Sequence, residues 1–270
     1  MRTSLTTPFA LILLLSSACG ATSVKPGPTP GVDALPPRGE VIEARTAPTV
    51  AEALAAVCAT EDIDGETCAV CPPGFGDPDL EGPLEIVAHR AGSFTAAGAD
   101  EILVTFGGCT GVPTETETTL MARGAQGLEV IARNTILHEI TCQHPKDASG
   151  RELIVCMDLD GNQGFNYSNL RLFGTDPEMT SVDLFELLSD TASCPASGEP
   201  YTDEEGTNLA VGDVDGDGLD DLTVTYNSAR GVVPDAFEDY CDAEMADHPF
   251  PAQASKTVTF VQRDGAFVKQ

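Results

Sequence analysis

The sequence predicts a mainly β fold, built as an array of about three units with roughly four short strands in each. The first observation is a motif that occurs three times, in which a glycine turn and an acidic residue lead into an apolar, β-forming run. These runs begin at Ile102, Leu153 and Leu222. The second observation is that one strand-like segment precedes each motif and a hairpin-like pair of segments follows it. With 41% hydrophobic and 21% charged residues, the 270-residue chain also has the composition of a folded globular protein.

The predicted units cover residues 84–133, 136–188 and 207–270. About four strands per unit are typical of a propeller blade, so the array is predicted to be β-propeller-like. About three units fall short of the minimum of roughly four blades in a closed propeller. The array is therefore expected to be incomplete, to contain a degenerate further blade, to close by oligomerisation or to form an open stack of sheets.

The N-terminus has the pattern of an export signal. Arg2 supplies a positive charge, residues 9–15 are apolar, and small residues lead to Cys19. Residues 1–18 resemble the signal peptide of bacterial lipoproteins, which implies cleavage before Cys19 and attachment of lipid to that residue. Gly20 stands where this family often has an Asp for retention in the inner membrane, which implies anchoring in the outer membrane of the cell envelope. An ordinary secretory peptide, cleaved at one of the nearby alanines, is the alternative, and both interpretations export the protein.

Two segments separate this signal from the predicted strands. Residues 19–48 are rich in proline and are predicted to form an extended tether. Residues 49–83 are predicted to form a short helix and a Cys-rich cap. Thr49 and Glu52 have the spacing of a capping box, which places the start of the helix.

Eight of the 9 cysteines remain when Cys19 is set aside. An even number in an exported chain predicts up to four disulfides in an oxidising compartment, but the pairing does not follow from the sequence. The spacing of Cys68 and Cys71 also occurs in redox and zinc motifs, yet no second pair with that spacing follows, so a structural role is favoured. The candidates are Cys58, Cys68, Cys71, Cys109, Cys142, Cys156, Cys194 and Cys241.

The charge balance excludes several classes of partner. The chain has 43 Asp and Glu against 14 Lys and Arg, a formal net charge of −29. Such a field repels phosphate backbones and anionic headgroups, so we expect no nucleic-acid binding and a membrane contact only through the N-terminal lipid. Divalent cations are the expected counter-ions. A protein or another surface ligand, of unknown identity, is the remaining class of partner.

One loop has the residue pattern of a calcium site. Its acidic residues occupy positions one, three, five and nine, two glycines permit a sharp turn, and a strand follows at once. Ca²⁺ takes about six to eight oxygen ligands, which closely spaced carboxylates and a main-chain carbonyl can supply. The sequence therefore predicts one Ca²⁺ site, with Asp213, Asp215, Asp217, the carbonyl of Leu219 and Asp221 as ligands.

The stretch from Gly212 to Leu222 resembles the calcium loop of the FG-GAP repeat, also described as the VCBS repeat. That family includes the integrin α-chain propeller and many exported bacterial proteins, and the resemblance implies a Ca²⁺ ion between the first two strands of a blade. The full match is confined to this stretch. The corresponding positions are Ser93, Thr95, Ala97 and Glu101 in the first unit, and the only acidic residues in the second are Asp147 and Glu152.

A second acidic stretch is a weaker candidate for a calcium loop. Its oxygens also fall at positions one, three, five and nine, but it follows its strand, and Gln163 stands where a tight turn needs glycine. An ordinary surface turn is the alternative. The candidate ligands are Asp158, Asp160, Asn162 and Asn166.

These observations lead to three hypotheses of function. The first is a non-catalytic, calcium-stabilised binding or adhesion module of the cell envelope. The second is a secreted hydrolase decorated by such repeats, as the FG-GAP resemblance allows, although the sequence contains no nucleophile elbow, phosphate loop or dinucleotide fingerprint and no catalytic residue is assigned. The third is a purely structural envelope lipoprotein.

Overall fold

Strands dominate the computed structural model, which describes residues 46–75, 83–109, 116–135, 137, 141–162, 165–246, 248 and 250–270. Residues Ala44–Gln270 belong to one compact unit. The predicted signal peptide, the lipidation site Cys19 and nearly all of the tether lie outside the described residues. Within the described residues, no helix has the length and apolar character needed to cross a bilayer.

The described residues form three antiparallel sheets, and the strands of each sheet follow one another in chain order. The prediction of a mainly β fold is therefore confirmed. The first sheet contains β1 (Ile63–Asp64), β2 (Thr67–Cys68), β3 (Leu84–Gly92), β4 (Glu101–Gly107), β5 (Glu117–Gly124) and β6 (Gly127–Asn134). The second contains β7 (Cys142–Gln143), β8 (Ile154–Asn162), β9 (Phe165–Phe173) and β10 (Ser181–Ser189). The third contains β11 (Pro200–Gly212), β12 (Asp221–Val232), β13 (Ala254–Arg263) and β14 (Ala266–Lys269).

Two strands of the Cys-rich segment belong to the first sheet. Cys68 of β2 pairs with Leu84 of β3, so β1 and β2 extend a four-stranded meander to six strands. The segment predicted as a separate cap thus shares the sheet of the first predicted unit. The second and third sheets have four strands each.

The first sheet lies between two apolar layers. On one face, Ile102 and Val104 of β4 pack with helix α1 (Val50–Val57) and the Cys-rich segment. On the other face, Leu103 packs with Ile154 of the second sheet. This burial of both faces explains why β4 is a continuous apolar run instead of an alternating one.

The second and third sheets share the next apolar core. Val155 and Leu170 of the second sheet pack with Leu222 and Phe260 of the third. The three sheets therefore stack face to face in chain order. Polar residues dominate the outer face of the third sheet, which also includes Val261 and Val268. The polar residues that alternate with the buried positions are Asn208, Thr223, Thr225, Thr257 and Thr259.

Four disulfides join the eight cysteines of the described chain, which confirms the expectation of disulfide bonding. Cys68 and Cys71 are not paired with each other, since the first bonds Cys58 and the second bonds Cys109 at the end of β4. The remaining bonds connect β7 to β8 and a 3-10 turn (Thr191–Ser193) to helix α2 (Tyr240–Met245). They are Cys142–Cys156 and Cys194–Cys241.

The third unit differs from the prediction in its strand lengths. The predicted unit starts at residue 207 and contains short strands, but β11 begins at Pro200 and β12 continues to Val232. Pro200 pairs with Val232 at the far end of this long hairpin. The hairpin extends because its tip has a core of its own, in which Tyr201 packs against Tyr240 of α2.

Helix α1 begins at the predicted capping box. The Thr49 hydroxyl accepts a hydrogen bond from the Glu52 N–H, and the Glu52 carboxylate accepts one from the Thr49 N–H. The same carboxylate forms an ion pair with Arg123 at the end of β5, at 2.7 Å. Glu52 therefore both starts the helix and fastens it to the first sheet.

We expect the Glu52–Arg123 contact to contribute stability that is lost in acid. Hydrogen bonds from Arg123, and next from the Thr49 N–H, lower the pKa of Glu52 from 4.5 to about 2. A depressed folded-state pKa gives stability that is full above the unfolded pKa of 4.5 and is lost as pH falls towards 2. In urea titrations, the difference in free energy of unfolding between wild type and Arg123→Gln should shrink as the pH falls over this window. The control is Arg230→Gln, which removes the ion pair with Glu204. A difference between wild type and Arg123→Gln that stays constant down to about pH 2 would contradict the expectation.

Candidate metal centre

The loop predicted to bind calcium connects β11 to β12 at one end of the third sheet. Gly216 and Gly218 have φ angles of +82° and +88°, a left-handed backbone that favours glycine. These turns fold the loop so that its two ends, Asp213 and Asp221, come together. The oxygens of Asp213, Asp215 and Asp221 lie within 4.8 Å of one another.

Asp217, the fourth predicted carboxylate ligand, is not part of this cluster. Its carboxylate accepts a hydrogen bond from the Leu219 N–H at 2.8 Å, within its own turn. Asp217 is exposed, whereas Asp221 is completely buried. The structure thus brings three of the four predicted carboxylates together.

Backbone N–H groups hold the clustered carboxylates in place. Asp213 accepts hydrogen bonds from two N–H groups of its own loop, at 2.7 and 3.1 Å. Asp221 accepts one from Val214 at 2.8 Å and one from Gln262 at 2.9 Å. Because Gln262 belongs to β13, Asp221 links the loop to the next strand of the sheet. These bonds orient the carboxylates towards one another.

Arg263, at the end of β13, supplies a positive charge to the cluster and was missed by the sequence analysis. Its guanidinium donates to Asp215 at 3.1 Å. The two residues are far apart in sequence, but a meander brings them together, since β13 runs antiparallel to β12 and therefore ends beside the start of β12. The predicted hairpin around Arg263 was the signal that could have placed it at this loop.

The donor set fits a hard divalent cation. Three carboxylates supply oxygen ligands of the kind that Ca²⁺ prefers, and each can contribute one or two oxygens. Asp213, Asp215 and Asp221 would hold the ion, and the predicted contributions of Asp217 and the Leu219 carbonyl come from the same loop. Three converging negative charges are also unfavourable without a cation beside them.

The loop between β3 and β4 has a similar arrangement without the charge cluster. Glu101, which is buried, accepts hydrogen bonds from the N–H groups of Phe94 and Thr95 and from the Thr95 hydroxyl. Asp221 accepts from the N–H groups at the corresponding positions of its own loop. The hydroxyl of Thr95 stands where the third unit has the carboxylate of Asp215. The first loop is thus closed by hydrogen bonds alone.

A left-handed glycine marks the same point in all three loops. The φ angles of Gly98, Gly150 and Gly218 are +75°, +86° and +88°. In the second loop the position that corresponds to Asp221 is Leu153, which packs in the core shared with the third sheet. The second loop therefore has an apolar residue where the others have a buried carboxylate.

The three loops lie side by side at one edge of the stack. The Glu152 N–H donates to the Ser93 carbonyl at 2.9 Å, which joins the second loop to the first. The Lys146 N–H donates to the Asp220 carboxylate at 2.7 Å, which joins the second loop to the third. An ion bound by the third loop would therefore lie at an edge where hydrogen bonds connect the loops of all three sheets.

The described residues of the second acidic stretch lie on strands, whereas the prediction placed them in a loop. Asp158, Asp160 and Asn162 lie on β8, and Asn166 lies on β9, which pairs with β8. Asp158 is buried and forms an ion pair with Arg171 at 2.7 Å. Pairing with β9 extends the strand beyond its apolar part because Arg171 neutralises the buried charge. This arrangement gives no support to a second calcium loop.

Comparisons with known proteins do not assign the chain to a family. No family model, no curated protein and no solved structure matches it.

Proposed function

We propose that this chain is an exported, lipid-anchored and calcium-stabilised β-repeat protein, which acts at the bacterial cell envelope as a non-catalytic binding or adhesion module. The observation that carries the proposal is the convergence of Asp213, Asp215 and Asp221 within 4.8 Å on a loop between two strands. The FG-GAP-like residue pattern of this loop supports calcium as the ion. Four disulfides support an oxidising compartment.

The similarity of the loops supports the repeat interpretation. The buried carboxylates of Glu101 and Asp221 each accept hydrogen bonds from two N–H groups at corresponding positions of their own loops. Each of these two residues lies three residues after a glycine with a left-handed backbone. We therefore propose that the three sheets are diverged copies of one repeat and that they form an incomplete propeller-like array.

The proposed role of calcium is structural. When bound, the ion supplies two positive charges that offset the repulsion among the clustered carboxylates. Asp221 is bonded to Val214 in the loop and to Gln262 in β13, so ordering its carboxylate orders both segments. The net charge of −29 favours a partner with basic residues on its contact surface.

We expect calcium to raise the melting temperature of the protein, because an ion that binds the folded state alone stabilises it by mass action. At a concentration about ten times Kd, the increase should be about 3–6 °C for a domain of this size. EDTA should reverse the increase, and Asp215→Ala should abolish it. Asp235→Ala, which removes an exposed carboxylate elsewhere, is the charge-matched control. No response of the wild-type protein to calcium or EDTA would overturn the proposal.

The binding part of the proposal has its own test. Envelope proteins captured on the immobilised wild-type chain with calcium are compared with those captured in EDTA and on Asp215→Ala. A partner that depends on calcium and is lost with Asp215→Ala is the expected result. A set of captured proteins that is the same in all three cases would contradict a calcium-stabilised binding surface.

A further inference from the structure

We propose that Arg263 is a built-in competitor of calcium, which sets the concentration at which the loop of residues 213–221 binds the ion. The inference rests on the calcium site proposed above. It concerns how that site is regulated, because the guanidinium occupies an oxygen of the Asp215 carboxylate, which the ion would also use.

The geometry places this arginine at the cluster but leaves its side chain able to move. The residue before it, Gln262, is buried, and its N–H donates to the Oδ1 atom of Asp221 at 2.9 Å. The backbone of Arg263 is therefore held beside the cluster. Its side chain is 60% exposed, whereas the Asp215 side chain that it contacts is 19% exposed. The guanidinium can swing into solvent while the carboxylate stays in place.

Arg263 contributes a positively charged side chain to the carboxylate cluster. In the described part of the chain, Asp213 and Asp221 accept hydrogen bonds from backbone N–H groups, and Arg263 does not donate to them. Its own contact is with the Oδ2 atom of Asp215, at 3.1 Å. This side chain is therefore the positive group that offsets the clustered carboxylates when no ion is bound.

Calcium must replace this contact in order to use the Oδ2 atom of Asp215. The guanidinium carries one positive charge and makes one contact here, whereas Ca²⁺ carries two charges and takes about six to eight oxygens. At high concentration calcium displaces the guanidinium, but its binding breaks the Arg263–Asp215 ion pair and leaves the positive guanidinium near the positive ion. Both effects weaken the apparent affinity for calcium without preventing binding.

This competition has a consequence for an exported protein. Extracellular calcium modules bind with a Kd of about 10⁻⁴–10⁻³ M, much weaker than intracellular sensors. A site with three converging carboxylates could bind more tightly than this range requires. Arg263 moves the Kd towards the concentrations found outside the cell, so the loop responds to changes in environmental calcium.

The experiment is a calorimetric titration of calcium into the full mature chain and three variants. We expect Arg263→Gln to bind calcium about threefold to tenfold more tightly than wild type, from loss of the competing contact and of the repulsion. Arg263→Lys, which keeps the charge, should lie close to wild type. Arg230→Gln removes an equally exposed arginine from the ion pair with Glu204, away from the cluster, and should leave the affinity unchanged. In EDTA, Arg263→Gln should not melt above wild type, since it loses an ion pair.

The outcomes separate this inference from the calcium site itself. If wild type binds calcium and Arg263→Gln binds it equally or more weakly, Arg263 is not a competitor, although the site stands. If neither protein binds calcium, the proposed site fails, and the inference fails with it. If binding is detected only after Arg263→Gln, the competition is stronger than expected and the inference is supported.

Discussion

Asp221→Ala is expected to destabilise the protein by about 2–4 kcal/mol even when calcium is absent. Asp221 is completely buried, and its carboxylate accepts hydrogen bonds from the N–H groups of Val214 and Gln262. Removing it leaves the buried Gln262 N–H and the partly buried Val214 N–H without an acceptor, at a cost of up to about 1–3 kcal/mol each. Relief of the repulsion with Asp213 and Asp215 offsets part of that loss, by about 1–2 kcal/mol. The lost hydrogen bonds are the larger effect.

Urea denaturation in EDTA, followed by circular dichroism, measures this effect without any contribution from calcium. Glu101→Ala is the matched variant in the first sheet and should cost a similar amount, because Glu101 is buried and accepts N–H groups in the same way. Asp217→Ala is the control, since this exposed carboxylate accepts only the Leu219 N–H and should cost less than about 1 kcal/mol. If Asp221→Ala were no more destabilising than Asp217→Ala, the buried hydrogen bonds would not be what closes the loop.

The sequence predicts features that depend on local spacing. The central strands β4 and β12 follow from apolar runs preceded by a glycine and an acid, and α1 follows from its capping box. The acidic loop of residues 213–221 is local in the same sense, because Asp213, Asp215 and Asp221 converge through turns at glycines between them. The loss of Asp217 from the cluster does not follow from spacing. It depends on the direction of one exposed side chain.

Features that depend on distant partners could not be predicted in this way. The stretch from Asp158 looked like a loop because it is acidic, but Arg171 on the next strand neutralises Asp158 and allows the strand to continue. The extension of β11 back to Pro200 and of β12 to Val232 also exceeds the short strands that were predicted. Their pairing depends on Tyr201 packing against α2, which no neighbouring residue reveals.

Loss of the Cys194–Cys241 disulfide, which closes the longest of the four disulfide loops in the described residues, is expected to be strongly destabilising. The two cysteines are 47 residues apart, and the segment that they close contains the whole β11–β12 hairpin with its acidic loop. For a loop of this length, chain entropy in the unfolded state gives a stabilisation of about 4 kcal/mol. The Cys58–Cys68 bond, with a separation of 10, should give about 3 kcal/mol or less by the same relation.

The double variant Cys194→Ser/Cys241→Ser should therefore melt about 8–16 °C below wild type. Cys58→Ser/Cys68→Ser is the matched control and should show the smaller decrease. A local measurement is also available, because burial, and next the charge of Asp203, raise the pKa of Tyr240 to about 12. Spectrophotometric titration of the tyrosines should show this pKa moving towards 10 in the first variant alone, as the hairpin tip opens. Equal melting decreases with no change in tyrosine titration would mean that the disulfide does not hold the tip closed.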